Sequence, residues 1–372
     1  LRKKRVLILS EGFGTGHTQA AQALSANIRK TNPNVQTRVF ELGSFLNPTI
    51  GSWILNAYRR TVSKKPHLVG MLYRYQYEKS LNKFTQLALH RLFYSQTSSM
   101  IKQLKPDAII CTHPFPNIVI SRLKRLGLRA PLCTVITDYD VHGTWISPET
   151  DCYLVSSDAV KEKLIAKGVS PAQITVTGMP IHPDFWKPLD RETIRAEFQL
   201  RAMPTVMVMG GGWGLLDHDY LYDELSAWRE RIQFVFVLGQ NQQALTKMKN
   251  DSLFQHENVR LLGYTKQINQ WMEVADLLIT KPGGMTCSEA YAKQLPMLFL
   301  EPLPGQEQEN CQHFSQLGIA QQIISNQTIR DALQMLVDNY ENTTTKRSST
   351  LAEIRLNQQQ NFGAAIANLF LP

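Results

Sequence analysis

Short apolar runs, followed by stretches of helical periodicity, organise this chain into two successive series. In the first, strand-sized runs at 5–10, 35–41, 107–112, 132–137, 152–155 and 174–177 alternate with helical patterns at 16–30, 116–126 and 157–167. A second series begins at 205–209 and continues through 233–238, 259–262, 276–280 and 297–301. Buried runs rich in Val and Ile, alternating with helices, predict parallel sheets with helices on both faces. Between the series, Pro180, Pro183 and Pro188 punctuate the segment from Gly178 to Pro188 and mark a joint. The expectation is an α/β chain of two doubly wound, Rossmann-like domains, 1–186 and 187–350, facing across a cleft at the carboxyl ends of their strands. In the tail 351–372, Leu351, Ile354, Leu356, Phe362, Ile366 and Leu369 read as one apolar face of a final helix.

Composition narrows the class. A length of 372 residues suits two cores rather than one. With 43% hydrophobic and 19% charged residues the chain is not disordered. No apolar stretch approaches the ~20 residues of a membrane-spanning helix. The apolar run after basic residues 2–5 is too short for a signal peptide. Five scattered cysteines, at 111, 133, 152, 287 and 311, read as reduced thiols. These features describe a soluble, cytoplasmic protein; its first residue, Leu1, is consistent with a trimmed start.

Charge changes the picture again. Residues 1–186 carry 24 Lys and Arg against 11 Asp and Glu, whereas 187–372 carry 16 against 20. One basic half points to an anionic surface met by one domain rather than to nucleic acid. The excess gathers in 51–100, where Arg59, Arg60, Lys64, Lys65, Arg74, Lys79, Lys83 and Arg91 face a single acid, Glu78. Trp53, Tyr58 and six further aromatics are interleaved with them. Cations among Trp and Tyr suit the headgroup layer of an anionic bilayer. Ordinary amphipathic helices are the plainer reading of the same pattern, and stacking on RNA a third.

Four loops stand where chemistry is expected. Ser10–His17 follows the first strand and opens a helix; its glycines admit a ligand to the backbone. As a dinucleotide fingerprint it fails, because the third glycine falls one place early. His17, at the positive end of a helix, is a candidate base with a lowered pKa. Asp138, Asp140, His142 and Trp145 follow the strand at 132–137, and Asp138 with His142 can orient an acceptor hydroxyl or take its proton. The same acids and histidine are metal-ligand types, but no Cys/His pair or second carboxylate cluster completes a site. Gly210, Gly211, Gly212 and Gly214 mark a third strand-to-helix loop; it lacks the Lys-Ser/Thr of a nucleoside triphosphatase. The fourth comes in two pieces, Thr280–Ala290 and Glu301–Asn310. Backbone amides at Gly283, Gly284, Met285 and Thr286 can hold a diphosphate, Glu289 can accept from a ribose, and Gln306 and Asn310 offer amides to a hexose.

With these residues in hand, the chain resembles the GT-B glycosyltransferases of family 28, in the branch of monogalactosyldiacylglycerol synthase and the processive diacylglycerol glucosyltransferases. The resemblance rests on Gly14-Thr-Gly16-His17, on Thr137-Asp138 with His142 and Trp145, and on Gly178-Met-Pro-Ile-His-Pro. Lys281-Pro-Gly-Gly-Met-Thr-Cys-Ser-Glu289 and Pro304-Gly-Gln306-Glu-Gln-Glu-Asn310 complete it. It implies a bacterial enzyme that moves a hexose, glucose first, from a UDP-sugar to the hydroxyl of diacylglycerol with inversion. Neither metal nor cofactor is required, and the expected place is peripheral, on the inner face of the cell membrane. The acceptor then belongs to the amino-terminal domain and the donor to the carboxy-terminal one, with the last helix packing back on the first. By the same resemblance His17, Asp138 and His142 are the catalytic candidates. Gly210, Gly211, Gly212, Gly214, Gly283, Gly284, Met285, Thr286, Glu289, Gln306, Glu307 and Asn310 hold the donor. Trp53, Tyr58, Arg59, Arg60, Lys64, Lys65 and Trp145 meet the lipid side. A UDP-sugar epimerase and a non-catalytic UDP-sugar sensor are the alternatives on the same architecture.

Overall fold

The computed structural model describes residues 2–48, 96–212, 214, 219–340 and 365. The described chain forms two compact units. The first takes the chain up to Pro183, together with Leu303–Gln306 and Ala365; the second takes Asp184–Pro302 and the chain from Glu307 to Tyr340.

The first unit holds β1 (Lys4–Ser10), β2 (Val35–Glu41), β3 (Ala108–Cys111), β4 (Leu132–Val135), β5 (Cys152–Val155) and β6 (Ile174–Val176). They form one sheet in the order β2-β1-β3-β4-β5-β6, parallel at every pairing. Both faces of β1 are apolar, and each meets its own layer. Val6 and Ile8 pack with Ala21, Leu24 and Ile28 of helix α1 (Thr15–Thr31), while Leu7 and Leu9 pack with Met100, Ile101, Val119 and Ile120. A side chain of this size contributes roughly 1.5–3 kcal/mol when fully buried, so strands of this composition hold helices on both sides. Ala365, the one described residue of the tail, joins the α1 side of this core.

The second unit repeats the plan with β7 (Thr205–Met209), β8 (Gln233–Val237), β9 (Val259–Leu262), β10 (Leu277–Thr280), β11 (Met297–Phe299) and β12 (Ala320–Gln322), ordered β12-β11-β10-β7-β8-β9. The edge strand β12 had no counterpart in the apolar pattern, because Ala320-Gln-Gln carries no hydrophobic run. Its neighbour β11 supplies the ladder instead.

An acid immediately before a strand recurs at the amino ends of both sheets. The Asp107 carboxylate accepts the Arg5 N–H at 2.7 Å, that of Asp151 the Leu132 N–H at 2.6 Å, and that of Asp276 the Thr205 N–H at 2.8 Å. Each Asp returns its own backbone N–H to the carbonyl of the same residue. The first turn of three adjacent strand pairs is thereby closed at both groups. The carboxyl ends of the strands, where α/β sheets bind ligands, are left to the loops.

Candidate active site

In the first unit, three histidines converge beyond the ends of β1, β3 and β4. His17 lies in the first turn of α1. Its Nδ1 is 3.1 Å from the carbonyl oxygen of Thr112 and 2.7 Å from the hydroxyl of Thr137. A carbonyl only accepts, so the Thr112 contact is a hydrogen bond when Nδ1 carries the proton, and that tautomer leaves the lone pair on Nε2. Thr112 also donates its hydroxyl to the His17 backbone carbonyl at 3.0 Å, so one threonine fixes both the backbone and the Nδ1 side of the ring. Burial pushes the imidazole down to about 4, against the Thr112 carbonyl, which favours the protonated ring. At neutral pH His17 is therefore an uncharged ring with its lone pair on Nε2.

His113 was not anticipated from the sequence. It caps helix α4 (Pro114–Arg125), whose forerunners α2 (Leu42–Leu46) and α3 (Thr97–Leu104) precede β3, and its Nδ1 accepts the Phe115 N–H at 3.2 Å. Its ring centre stands 4.7 Å from that of His17, edge to face, and Phe13 stacks on it at 5.7 Å. The signal that marked His17, a histidine at a strand-to-helix turn, was present here too in Cys111-Thr-His113-Pro. His142 is buried and pushed down to about 4, chiefly by that burial, with Asp140 pulling the other way.

Trp145 packs between these rings, its centre 6.1 Å from both His17 and His142. Expected on the acceptor or membrane side, it is 0% exposed and forms the inner wall of the histidine cluster. Its indole N–H has no partner among the described residues, and Asn117 holds its backbone carbonyl at 3.1 Å. Asp138 follows Thr137 and is nearly buried; it accepts from the Gln306 amide at 2.9 Å. The Asp140 carboxylate pairs with Lys163 at 2.7 Å. No group of three or more His, Cys, Asp or Glu that could hold a metal occurs among the described residues. Trp53, Tyr58, Arg59, Arg60, Lys64 and Lys65 lie outside the described residues.

The donor candidates lie in the second unit, Gln306 excepted. After β10, Gly283 caps helix α10 (Gly284–Ala292), the fifth helix after α5 (Asp158–Ala166), α6 (Arg191–Glu197), α7 (Asp219–Ser226), α8 (Gln242–Lys249) and α9 (Ile268–Val274). The Gly283 N–H is spent on Lys281 at 2.8 Å, so it is not a spare donor. The next three N–H groups, on Gly284, Met285 and Thr286, donate to no described residue. Three aligned donors at a helix start favour an anion. Glu289, one turn on, is 8% exposed; burial raises its carboxyl to about 8, and its side chain makes no hydrogen bond among the described residues. Asn310, on helix α11 (Gln306–Gln316), is buried and donates to the Pro282 carbonyl at 3.0 Å. It ties the two pieces of the fourth loop together, and its neighbour Glu307 is half-buried.

The four glycines of the third loop have partly structural causes. Gly211 and Gly214 adopt φ of 69° and 59°. A Cβ on Gly214 would meet the Leu238 carbonyl oxygen at 1.9 Å, and one on Gly239, unforeseen from sequence, would meet that of Gly212 at 2.5 Å. The loops after β7 and β8 thus press backbone on backbone, with Gln240 N–H donating to Gly212 at 3.2 Å. Gly210 and Gly212 carry no such constraint from their φ.

Comparison with known proteins identifies the family. Residues 17–181 match the model of monogalactosyldiacylglycerol synthase, and residues 205–368 that of the glycosyltransferase family 28 C-terminal domain. A processive diacylglycerol beta-glucosyltransferase of Staphylococcus epidermidis is 30% identical over 95% of this chain and 90% of its own length. One from Bacillus licheniformis is 30% identical over 90% and 87%. Among solved structures, Anabaena HepE in complex with UDP-glucose covers 98% of both chains with a TM-score of 0.61 at 14% identity. The UDP-GlcNAc 2-epimerase of Neisseria meningitidis covers 98% of this chain and 99% of its own with 0.59 at 13%. Those last likenesses speak for the GT-B fold alone; the whole-length sequence match decides between them. The chain belongs to glycosyltransferase family 28, with the monogalactosyldiacylglycerol synthases and the processive diacylglycerol beta-glucosyltransferases.

Proposed function

We propose that this protein transfers glucose from UDP-glucose to the free hydroxyl of diacylglycerol, with inversion at the anomeric carbon. The observation that carries the reading is His17: a ring anchored through Nδ1, uncharged at neutral pH, with its lone pair on Nε2. That is the form a base needs to receive an alcohol's proton. The hydroxyl oxygen forms a bond to the anomeric carbon, and the bond from that carbon to the UDP oxygen breaks with its electron pair. The proton passes to His17 Nε2. Diphosphate charge is met by the free N–H groups of Gly284, Met285 and Thr286, which supplies without a metal the stabilisation that fixed dipoles give a leaving anion. Glu289 accepts the ribose hydroxyls. Asp138 accepts from the Gln306 amide and so positions the residue assigned to the sugar. Work at an anionic membrane surface, on the inner face, falls to the basic and aromatic stretch 51–100.

Turnover is tested with UDP-glucose and diacylglycerol in vesicles. Full activity is expected in EDTA, and strict dependence on Mg²⁺ or Mn²⁺ would contradict the metal-free leaving group. His17→Ala should lower kcat by about 10²–10⁴-fold while UDP binding by calorimetry is unchanged. Unaltered turnover in that variant removes the base. A lipid-free incubation checks the reading against an epimerase of the same fold: conversion of UDP-glucose to another UDP-sugar without acceptor would overturn it.

A further inference from the structure

The histidine cluster contains a group that this reading leaves without a task. His113 is 6% exposed and its Nδ1 accepts the backbone N–H of Phe115. A nitrogen that accepts carries no proton, so the neutral ring must carry its proton on Nε2. Burial, reinforced by the neighbouring imidazoles of His17 and His142, holds this ring well below the usual histidine range, so neutral is its resting form. His17 is the mirror case, with its proton on Nδ1 and its lone pair on Nε2. Two uncharged imidazoles of opposite tautomer therefore stand with ring centres 4.7 Å apart and planes at 89°. Neither Nε2 has a hydrogen-bond partner among the described residues.

A hydroxyl group is the complement of that pair. It has one proton to give and two lone pairs. One lone pair can take a hydrogen bond while the other attacks, and a single hydroxyl can serve an N–H donor and an N acceptor at once. We propose that His113 donates its Nε2–H to the acceptor hydroxyl oxygen and so turns that hydroxyl's own proton toward His17 Nε2. The inference deepens the proposed function and rests on His17 being the base. It adds a residue that touches the acceptor and selects a free alcohol, since an ester or ether oxygen at the same place has no proton for His17. As the oxygen gives its electron pair to the anomeric carbon, it accepts less well. The bond to His113 therefore acts before the attack, by orientation, and does not stabilise the charge that leaves.

The test is His113→Asn in the full-length protein. The Asn side-chain oxygen still caps the Phe115 N–H, so the helix start is kept while the Nε2–H is lost. Expected is a ten- to hundredfold fall in kcat/KM for diacylglycerol, on the order of what misorientation of a reactant costs, with the Kd for UDP-glucose unchanged. Wild-type kcat/KM in the folded variant overturns the proposal, and so does a loss confined to UDP-glucose binding. A second measurement needs no variant: nitrogen-15 NMR of histidine-labelled wild-type protein should place the His113 proton on Nε2 and shift it on adding a short-chain diacylglycerol. A proton on Nδ1 overturns it. If His17→Ala leaves turnover intact, the base reading has failed and this one with it. If His17→Ala is inactive and His113→Asn is normal, only the role of His113 falls.

Discussion

Glu289 shows how burial and chemistry pull against each other in a single side chain. Its carboxyl is raised to about 8 because burial penalises the charged form. Ribose hydroxyls, however, donate best to the charged form. Binding should therefore lower the pKa and release a proton whenever the free protein holds one. UDP affinity is expected to rise with pH through about 8, by at most tenfold per unit, and to level off above it. UDP titrates as well, so the comparison is with Glu289→Gln: calorimetry from pH 6.5 to 9 should give a steeper slope for wild type. Equal slopes would remove Glu289 from the ribose. The stability sign runs in the opposite direction. A carboxyl raised from 4.5 to about 8 contributes most below 4.5 and loses that contribution between 4.5 and about 8, so Glu289→Gln should flatten the fall in stability across that window. At this scale the candidate residues were legible because His17 and Glu289 follow glycine turns at strand ends. Their partners were not. Thr112 lies 95 residues from His17 and Thr137 lies 120 away, and no local pattern announces such pairs.

Between residue and domain, the Asp-before-strand pairs explain how short strands hold their register. β10 is four residues long, and its preceding Asp276 fastens the Thr205 backbone on both sides while pairing with Arg191. Arg195, also buried, donates to the carbonyls of Met203 and Val274 and to the Thr205 hydroxyl beside it. Removing a buried partner leaves an uncompensated charge. Asp276→Ala should therefore cost about 3–5 kcal/mol in urea unfolding, and Asp151→Ala, whose side chain is half-exposed, about 1. Equal losses would show that the backbone bonds, not the buried charge, set the cost. The glycine loop after β7 carries a lesson of the same scale. Four glycines suggested close approach by a ligand, and at one of them, Gly214, the close approach comes from the chain itself, as it does at Gly239 in the facing loop.

For the whole molecule the governing quantity is the charge imbalance, with the positive excess in residues 1–186 and concentrated in 51–100. Each Lys or Arg at an anionic surface contributes roughly 1 kcal/mol, so replacing Arg59, Arg60, Lys64 and Lys65 by Ala should weaken vesicle binding by roughly a thousandfold. Co-sedimentation with vesicles containing anionic lipid should show this at low salt and fade as salt is raised. Equal binding to neutral vesicles would mean that the aromatics alone, or nothing in this stretch, hold the protein to the bilayer. No described helix is long and apolar enough to cross a membrane.

The sequence by itself determined eleven of the twelve described strands, their order in two series and the family. Those depend on local apolar runs and on glycine, proline and acid signatures a few residues apart. Only the tertiary structure decided which nitrogen of His17 and of His113 holds the proton, that Trp145 is walled in, that His113 belongs beside His17, and that Asn310 serves the Pro282 loop. The physical reason is that tautomer, burial and pKa are set by groups brought together from distant strands, and the chain order carries no record of their distances.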